Sequence, residues 1–169
     1  MSLFKILAVA SLSIGGILLF NGCSVMTKAA GAKGEKFTEF KKPKENHGMV
    51  YVYRPSIFFG SGMTYDIHVS DETNSDFIVG ELLHNGYFEI DLPTGRTDIW
   101  AKVTADDSVE LDIKNGAIYC IKTIAAPVNT TFAKDLSAGM SGESSYNPNF
   151  EIVDMATCKS EIIATRNSK

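Results

Sequence analysis

The stretch that decides the fold is Asn85-Gly86-Tyr87-Phe88-Glu89-Ile90-Asp91-Leu92-Pro93-Thr94-Gly95. Within it, the apolar Phe88, Ile90 and Leu92 alternate with the acidic Glu89 and Asp91. A period of two is typical of a β-strand with one buried face. The Asn-Gly pair before this strand and the Pro-Thr-Gly triplet after it are residues that favour tight turns. The stretch therefore predicts one strand bounded by two turns.

The same alternation recurs on both sides of this stretch, so we expect an all-β fold. Further strands are predicted at 50–53, 64–70, 76–83, 98–103, 109–113 and 117–125, and an additional one at 150–153. Seven to eight short strands separated by turns favour an antiparallel β-sandwich. Residues 127–149 are rich in Ser, Gly, Asn and Thr, which predicts a long loop. One short C-terminal helix, 155–164, is predicted after Asp154 as its N-cap.

The N-terminus has the pattern of an export signal. Lys5 precedes an apolar stretch, 6–20, which as a helix is about 22 Å long. The hydrocarbon core of a bilayer is about 30 Å thick, so this stretch is short for a spanning helix and normal for a signal peptide. The residues that follow, Asn21-Gly22-Cys23, resemble the lipobox of bacterial lipoproteins.

This resemblance implies a chemical fate for Cys23. Its thiol would take diacylglycerol, the signal peptide 1–22 would be removed, and the new amino terminus would be acylated, for example with palmitate. Because Ser24 stands where an Asp would resemble an inner-membrane retention signal, we expect the outer membrane, facing the periplasm. The alternative is an uncleaved membrane anchor with an incidental cysteine.

Charge divides the rest of the chain into two parts. Residues 24–47 hold six Lys and three Glu, a net charge of +3, and we interpret 23–47 as a lipidated polar tether. This tether could lie against anionic lipid head groups or be a soluble linker. Residues 48–169, the predicted β-sandwich domain, hold nine Lys plus Arg and 17 Asp plus Glu, a net of −8. Because phosphate binding needs a basic patch, nucleic acid is not an expected partner.

The two remaining cysteines allow a disulfide. If Cys23 is lipidated, Cys120 and Cys158 form the one possible pair, in an oxidising compartment. The alternative is two separate buried thiols, since free cysteine packs as a small apolar residue. The sequence leaves both open.

A family resemblance is carried by the run Met49-Val50-Tyr51-Val52-Tyr53-Arg54-Pro55. Three later motifs accompany it: Asn85-Gly86-Tyr87-Phe88, Leu92-Pro93-Thr94-Gly95 and Asn115-Gly116-Ala117-Ile118-Tyr119. Together they resemble the bacterial lipoproteins grouped as domain of unknown function family 2846. The resemblance implies a small β-sandwich behind a lipobox. Since that family has no agreed active site, the resemblance implies no catalytic residue.

Neither a metal site nor a catalytic site is expected from the motifs. His47, His68 and His84 do not share a metal-binding spacing, and we expect no cofactor. The acidic stretch 71–76 and the pair at 106–107 could offer oxygen ligands to calcium, but charged turns are the commoner meaning of such clusters.

Three residues are candidates for a ligand or partner surface. Arg54 ends the first strand among aromatic residues, beside Tyr53, where a guanidinium could stack or pair with a carboxylate. For Arg54, a structural role in tying down the strand end is favoured over ligand binding. His68 alternates onto the polar face of its strand with Asp66, and these two side chains could hydrogen-bond. The aromatic residues Tyr51, Tyr53, Phe58, Phe59 and Tyr65 would mark a partner surface if exposed together, and would otherwise be core.

The sequence thus favours a non-enzymatic, lipid-anchored envelope lipoprotein that binds or scaffolds another envelope protein. The alternative is a small-ligand-binding or hydrolytic envelope enzyme that uses Arg54, His68 and neighbouring carboxylates. A third reading is a subunit of a larger envelope assembly.

Overall fold

The computed structural model describes residues 31–57, 61–72, 75–102, 106–127 and 146–169. The predicted signal peptide 1–22 and the lipidation site Cys23 lie outside these residues, as does most of the predicted loop at 127–149. The strands are β1 His47–Tyr53, β2 Tyr65–Asp71, β3 Asp76–Leu82, β4 Gly86–Pro93, β5 Gly95–Lys102, β6 Asp106–Ile113, β7 Ile118–Pro127, β8 Tyr146–Val153 and β9 Arg166–Asn167, with a helix, α1, at Met155–Ile162. No helix in this part of the chain has the length and hydrophobicity needed to cross a membrane.

The strands form two sheets, which confirms the predicted all-β sandwich with one short C-terminal helix. The five-stranded sheet has the order β8-β7-β1-β4-β9, and the four-stranded sheet has the order β3-β2-β5-β6. Two neighbouring pairs are parallel, β1 with β7 and β4 with β9, where a purely antiparallel arrangement was predicted. A parallel pair needs a long crossover between its strands, and the excursion through the four-stranded sheet supplies it for β1 and β7.

The main core lies between the two sheets. In β1, the central strand of its sheet, Val50 and Val52 point into this core, where they meet Ile67, Ile99 and other apolar residues. Tyr51 and Tyr53 point the opposite way and belong to a second apolar cluster. β1 is therefore buried on both faces, as its continuous apolar run requires.

The second cluster forms because the N-terminal segment, residues 31–46, packs on the outer face of the five-stranded sheet. Phe37 is only 7% exposed, and its ring meets those of Tyr51 and Tyr87 edge-to-face at 5.7 Å between centroids. The backbone N–H of Lys41 donates to the Tyr51 hydroxyl at 2.7 Å. The prediction of a polar tether up to residue 47 is therefore wrong for residues 31–46. Burial of Phe37 and Phe40 outweighs the polar composition around them.

The helix is held on the same face of the five-stranded sheet. Asp154 caps it by accepting from the backbone N–H groups of Ala156 and Thr157, each at 2.9 Å, which matches the predicted N-cap. Cys158 of α1 is bonded to Cys120 of β7, with 6.1 Å between Cα atoms and a sequence separation of 38. Of the two alternatives that the sequence left open, the structure contains the disulfide.

Candidate binding surface

The three predicted surface residues lie in three different layers of the sandwich. Tyr53 is fully buried between the five-stranded sheet and α1, and its hydroxyl donates to Glu161 at 2.7 Å. Glu161 also accepts from the ammonium of Lys122 at 2.6 Å. Burial, and then the hydrogen bond to the Glu161 carboxylate, raise the pKa of the Tyr53 hydroxyl far above its ordinary value. Tyr53 therefore docks the helix, and its prediction as a surface residue is wrong.

Arg54 is also fully buried, on the opposite side of β1 from Tyr53. Its guanidinium lies 5.4 Å from the ring centroid of Tyr65 and donates to the Met63 carbonyl. Its backbone N–H donates to the Gly86 carbonyl at 2.8 Å. Desolvation by burial lowers the pKa of the guanidinium from its ordinary value. Arg54 thus ties the end of β1 to neighbouring segments, which is the structural role that the sequence favoured. The alternative, a place on a ligand or partner surface, is wrong.

The predicted aromatic patch is not a surface where the structure describes it. Tyr51, Tyr53 and Tyr65 are all buried, so they are core residues. Phe58 and Phe59 lie outside the described residues. The rival enzyme reading needs Arg54 and His68 together, and the structure places them on different faces.

His68 is the one predicted surface residue on an outer face, that of the four-stranded sheet. Its ring stacks on that of Trp100 in β5, at 4.0 Å between centroids and 22° between planes. Its Nδ1 lies 3.2 Å from the carboxylate of Asp76. The hydrogen-bond partner is thus Asp76 of β3, not Asp66, which was considered because it lies two residues away on the same strand.

Trp100 is the residue that sequence reasoning did not nominate. Its indole N–H donates to the Ser70 hydroxyl at 3.0 Å, and His68 covers one face of the ring. On the other side, the residue that pairs with Trp100 is Ser108 of β6, which is small and exposed. The available signal was the single tryptophan of the chain standing in the polar phase of an alternating strand.

A polar groove adjoins Trp100 through Ser70. It has a volume of about 350 Å³ and is lined by Ser70, Asp71, Glu72, Arg96 and Asp98. The backbone N–H of Arg96 donates to Glu72 at 3.3 Å, and its guanidinium pairs with Glu110. The groove therefore presents carboxylates and hydroxyl groups with one guanidinium at its wall.

The outer face of this sheet is strongly acidic. The pairing of strands places these carboxylates on it: Asp66, Asp76, Glu81, Asp98, Glu110 and Asp112. Two described cations offset part of this charge: Arg96 pairs with Glu110, and Lys114, directly after β6, pairs with Asp112 at 2.9 Å. The edge strand β3 adds exposed apolar surface to this face at Ile78, which is 57% exposed. Ile78 pairs directly with His68. We call the surface formed by Ile78, His68, Trp100, Ser108 and the polar groove the Trp100 face.

The acidic and histidine residues do not gather into a metal site within the described ranges. No group of three or more His, Cys, Asp or Glu side chains there could hold a metal ion. The pair at 106–107 was predicted to be a turn, but it begins β6, and Asp107 accepts from the backbone N–H of Phe150 at 2.9 Å. His84 lies in the turn before β4, where burial and the charge of Arg54 lower its pKa.

Comparison with known proteins gives no assignment of this surface. No protein-family model matches the chain. No curated protein matches it either.

Proposed function

We propose that the chain is a lipid-anchored lipoprotein of the bacterial cell envelope, with a non-enzymatic binding domain that contacts another envelope protein through its Trp100 face. The anchor is supported by the lipobox residues Gly22 and Cys23. The resemblance to family 2846 supports the same class of protein. The observation that carries the binding surface is Trp100, a tryptophan held in place on an outward sheet face.

The fixed position of Trp100 favours binding. Tryptophan is enriched among the residues that contribute most to protein interfaces. Its stacking on His68 and its hydrogen bond to Ser70 hold the ring before any partner arrives, so less side-chain entropy is lost on association. Exposed Ile78 extends the apolar contact along the same row of side chains.

The charge of the face indicates the chemistry of its partner. Six outward carboxylates share the face with the aromatic pair, and two of them pair with Arg96 and Lys114. The excess of carboxylates makes a partner with Lys or Arg side chains electrostatically complementary. A guanidinium or ammonium group could also lie over the indole ring. We therefore propose an envelope protein that presents a basic segment. That Arg54, Tyr53 and His68 lie apart supports a binding role over the enzymatic alternative.

The anchor is tested by metabolic labelling with a palmitate analogue. The Cys23→Ala variant should lose the label, and the Ser24→Ala variant should keep it because its acceptor cysteine is intact. Undiminished labelling of Cys23→Ala would overturn the anchoring proposal.

The binding surface is tested by site-specific photo-cross-linking in intact cells. A cross-linker at Ser108, beside the indole ring, should give an adduct with a discrete envelope protein, and one at Ser160, exposed on α1, should not. Trp100→Ala should abolish the Ser108 adduct. The variant should still unfold cooperatively on heating, at a lower midpoint because the contacts to His68 and Ser70 are lost. Equal adducts at both positions, or an adduct that survives Trp100→Ala, would contradict the assignment.

A further inference from the structure

The chain enters the fold at one edge of the five-stranded sheet. The backbone N–H of Ala32 donates to the His84 carbonyl at 2.9 Å. The following residues run beside β9, where the Gly34 N–H donates to Asn167 at 3.2 Å and the Asn167 N–H donates to Glu35 at 2.8 Å. A Cβ at Gly34 would lie 2.4 Å from the Asn167 carbonyl oxygen, so the close approach requires glycine there. The chain is therefore fixed to the domain from Ala32 onward.

This entry point limits how far the domain can stand from a lipid on Cys23. Gly31 lies eight residues after Cys23, and a chain extends by at most about 3.6 Å per residue. The maximum reach from Cys23 to Gly31 is thus about 29 Å, whereas a free tether of 24 residues would reach about 86 Å at the same extension. An acylated Cys23 would keep the edge at β9 close to the bilayer.

The same edge is basic. The two segments that pair there, 31–37 and 165–169, carry four basic side chains and one acidic side chain. We call Lys33, Lys36, Arg166 and Lys169 the basic edge. Lys36 and Arg166 occupy directly opposite positions of an isolated antiparallel bridge. Because like charges in opposite positions repel each other, this arrangement costs stability unless an anion neutralises it.

We propose that the basic edge is the surface of the domain that lies on the bilayer, with anionic phospholipid head groups as its partner. This inference rests on the proposed lipidation of Cys23. Two separate observations support it: the short reach from the anchor to Gly31, and the positive charge of the edge where the chain enters the domain. Lys33, Lys36 and Lys169 are exposed and can reach head groups, while Arg166 also donates to the Gly34 carbonyl at 3.2 Å.

The test uses the acylated protein purified from cells and bound to vesicles. The vesicles consist of phosphatidylcholine alone or of phosphatidylcholine mixed with phosphatidylglycerol. An amine-reactive reagent measures the modification rate of each lysine, and Lys159, exposed on α1, is the control. On the anionic vesicles, Lys33, Lys36 and Lys169 should react about threefold more slowly, because local head groups shield them, and added salt should restore the rate.

A matched pair of variants separates this inference from general membrane proximity. Lys36→Glu should raise the modification rates of Lys33 and Lys169 on anionic vesicles, and Lys159→Glu should not. Equal modification rates on both kinds of vesicle, or slowing of Lys159 to the same degree, would refute the basic edge. Protein that does not float with the vesicles would instead refute the lipid anchor and with it the proposed function.

Discussion

The disulfide between Cys120 and Cys158 should contribute a large part of the stability of the domain. It closes a loop with a sequence separation of 38, and both cysteines are buried. In the chain-entropy model, closing a loop of that length lowers the entropy of the unfolded chain and so raises its free energy by about 4 kcal/mol at 25 °C. Domains of this size are typically stable by about 5–15 kcal/mol, so the double variant Cys120→Ala/Cys158→Ala should lose a substantial fraction of its stability.

The assay is urea unfolding followed by tryptophan fluorescence. The chain has one tryptophan, Trp100, and it lies in the four-stranded sheet, away from the bond between α1 and β7. Its emission therefore reports unfolding of the whole sandwich and not the release of α1 alone. With a urea dependence of about 2 kcal/mol per M, a loss of about 4 kcal/mol lowers the midpoint by about 2 M.

The control is a cysteine substitution that does not break the bond. Cys23→Ala leaves the disulfide in place and should unfold at the wild-type midpoint. If the double variant unfolds within about 1 kcal/mol of the wild type, the loop-closure reasoning is refuted for this domain. Because the bond acts by restricting the unfolded chain, the urea dependence of the double variant should be at least as steep as that of the wild type.

Three further predictions concern the N-terminal segment and the helix. Phe37→Ala should lower the free energy of unfolding by about 3 kcal/mol, as for a buried core aromatic, and an exposed lysine of the same segment changed to Ala should leave it nearly unchanged in urea titrations. Asp154→Ala should lower the free energy of unfolding by about 1 kcal/mol in the same titration because the helix loses its N-cap. Asp154→Asn should keep most of the stability, since Asn is also a good N-cap residue. Burial alone would raise the pKa of Glu161, but hydrogen bonds from Lys122 and Tyr53 hold it below its ordinary value of 4.5. Because the pKa of Glu161 is depressed in the folded state, its carboxylate stabilises the fold fully above about pH 4.5, and this stabilisation is lost as the pH falls through the pKa of the folded protein. Between about pH 5 and pH 3, the free energy of unfolding should therefore fall less steeply in Glu161→Gln than in the wild type.

The sequence predicted β1 to β8 because each has a local pattern, whereas β9, which spans only two residues, was not predicted. Alternation identifies which side chains are inward in β2, β4, β5 and β6 without reference to any distant residue. The parallel pairing of β1 with β7 has no local signature, since it depends on how the intervening strands cross to the other sheet. The N-terminal segment was missed because average composition hides two aromatic residues among five lysines.

The candidate surface was predicted less well, for a related reason. Arg54 and His68 were nominated for their chemistry, but chemistry does not reveal burial, and Arg54 is enclosed between the sheets. Trp100 stands in the polar phase of its strand and was not nominated. An aromatic residue in the polar phase of an alternating strand is the local signal that identifies this face.

The two proposals give a basic partner two competing sites of electrostatic attraction. A protein with a basic segment is attracted to the acidic Trp100 face, but the anionic lipids proposed for the basic edge attract the same segment. Salt weakens both interactions, so ionic strength alone does not separate them. Trp100→Ala removes the aromatic contact and leaves the lysines of the basic edge intact. Lys36→Glu weakens the basic edge and leaves the Trp100 face intact. A partner that binds through the sheet face should therefore be lost in the first variant and retained in the second, and a partner held mainly by the lipid should be retained in both.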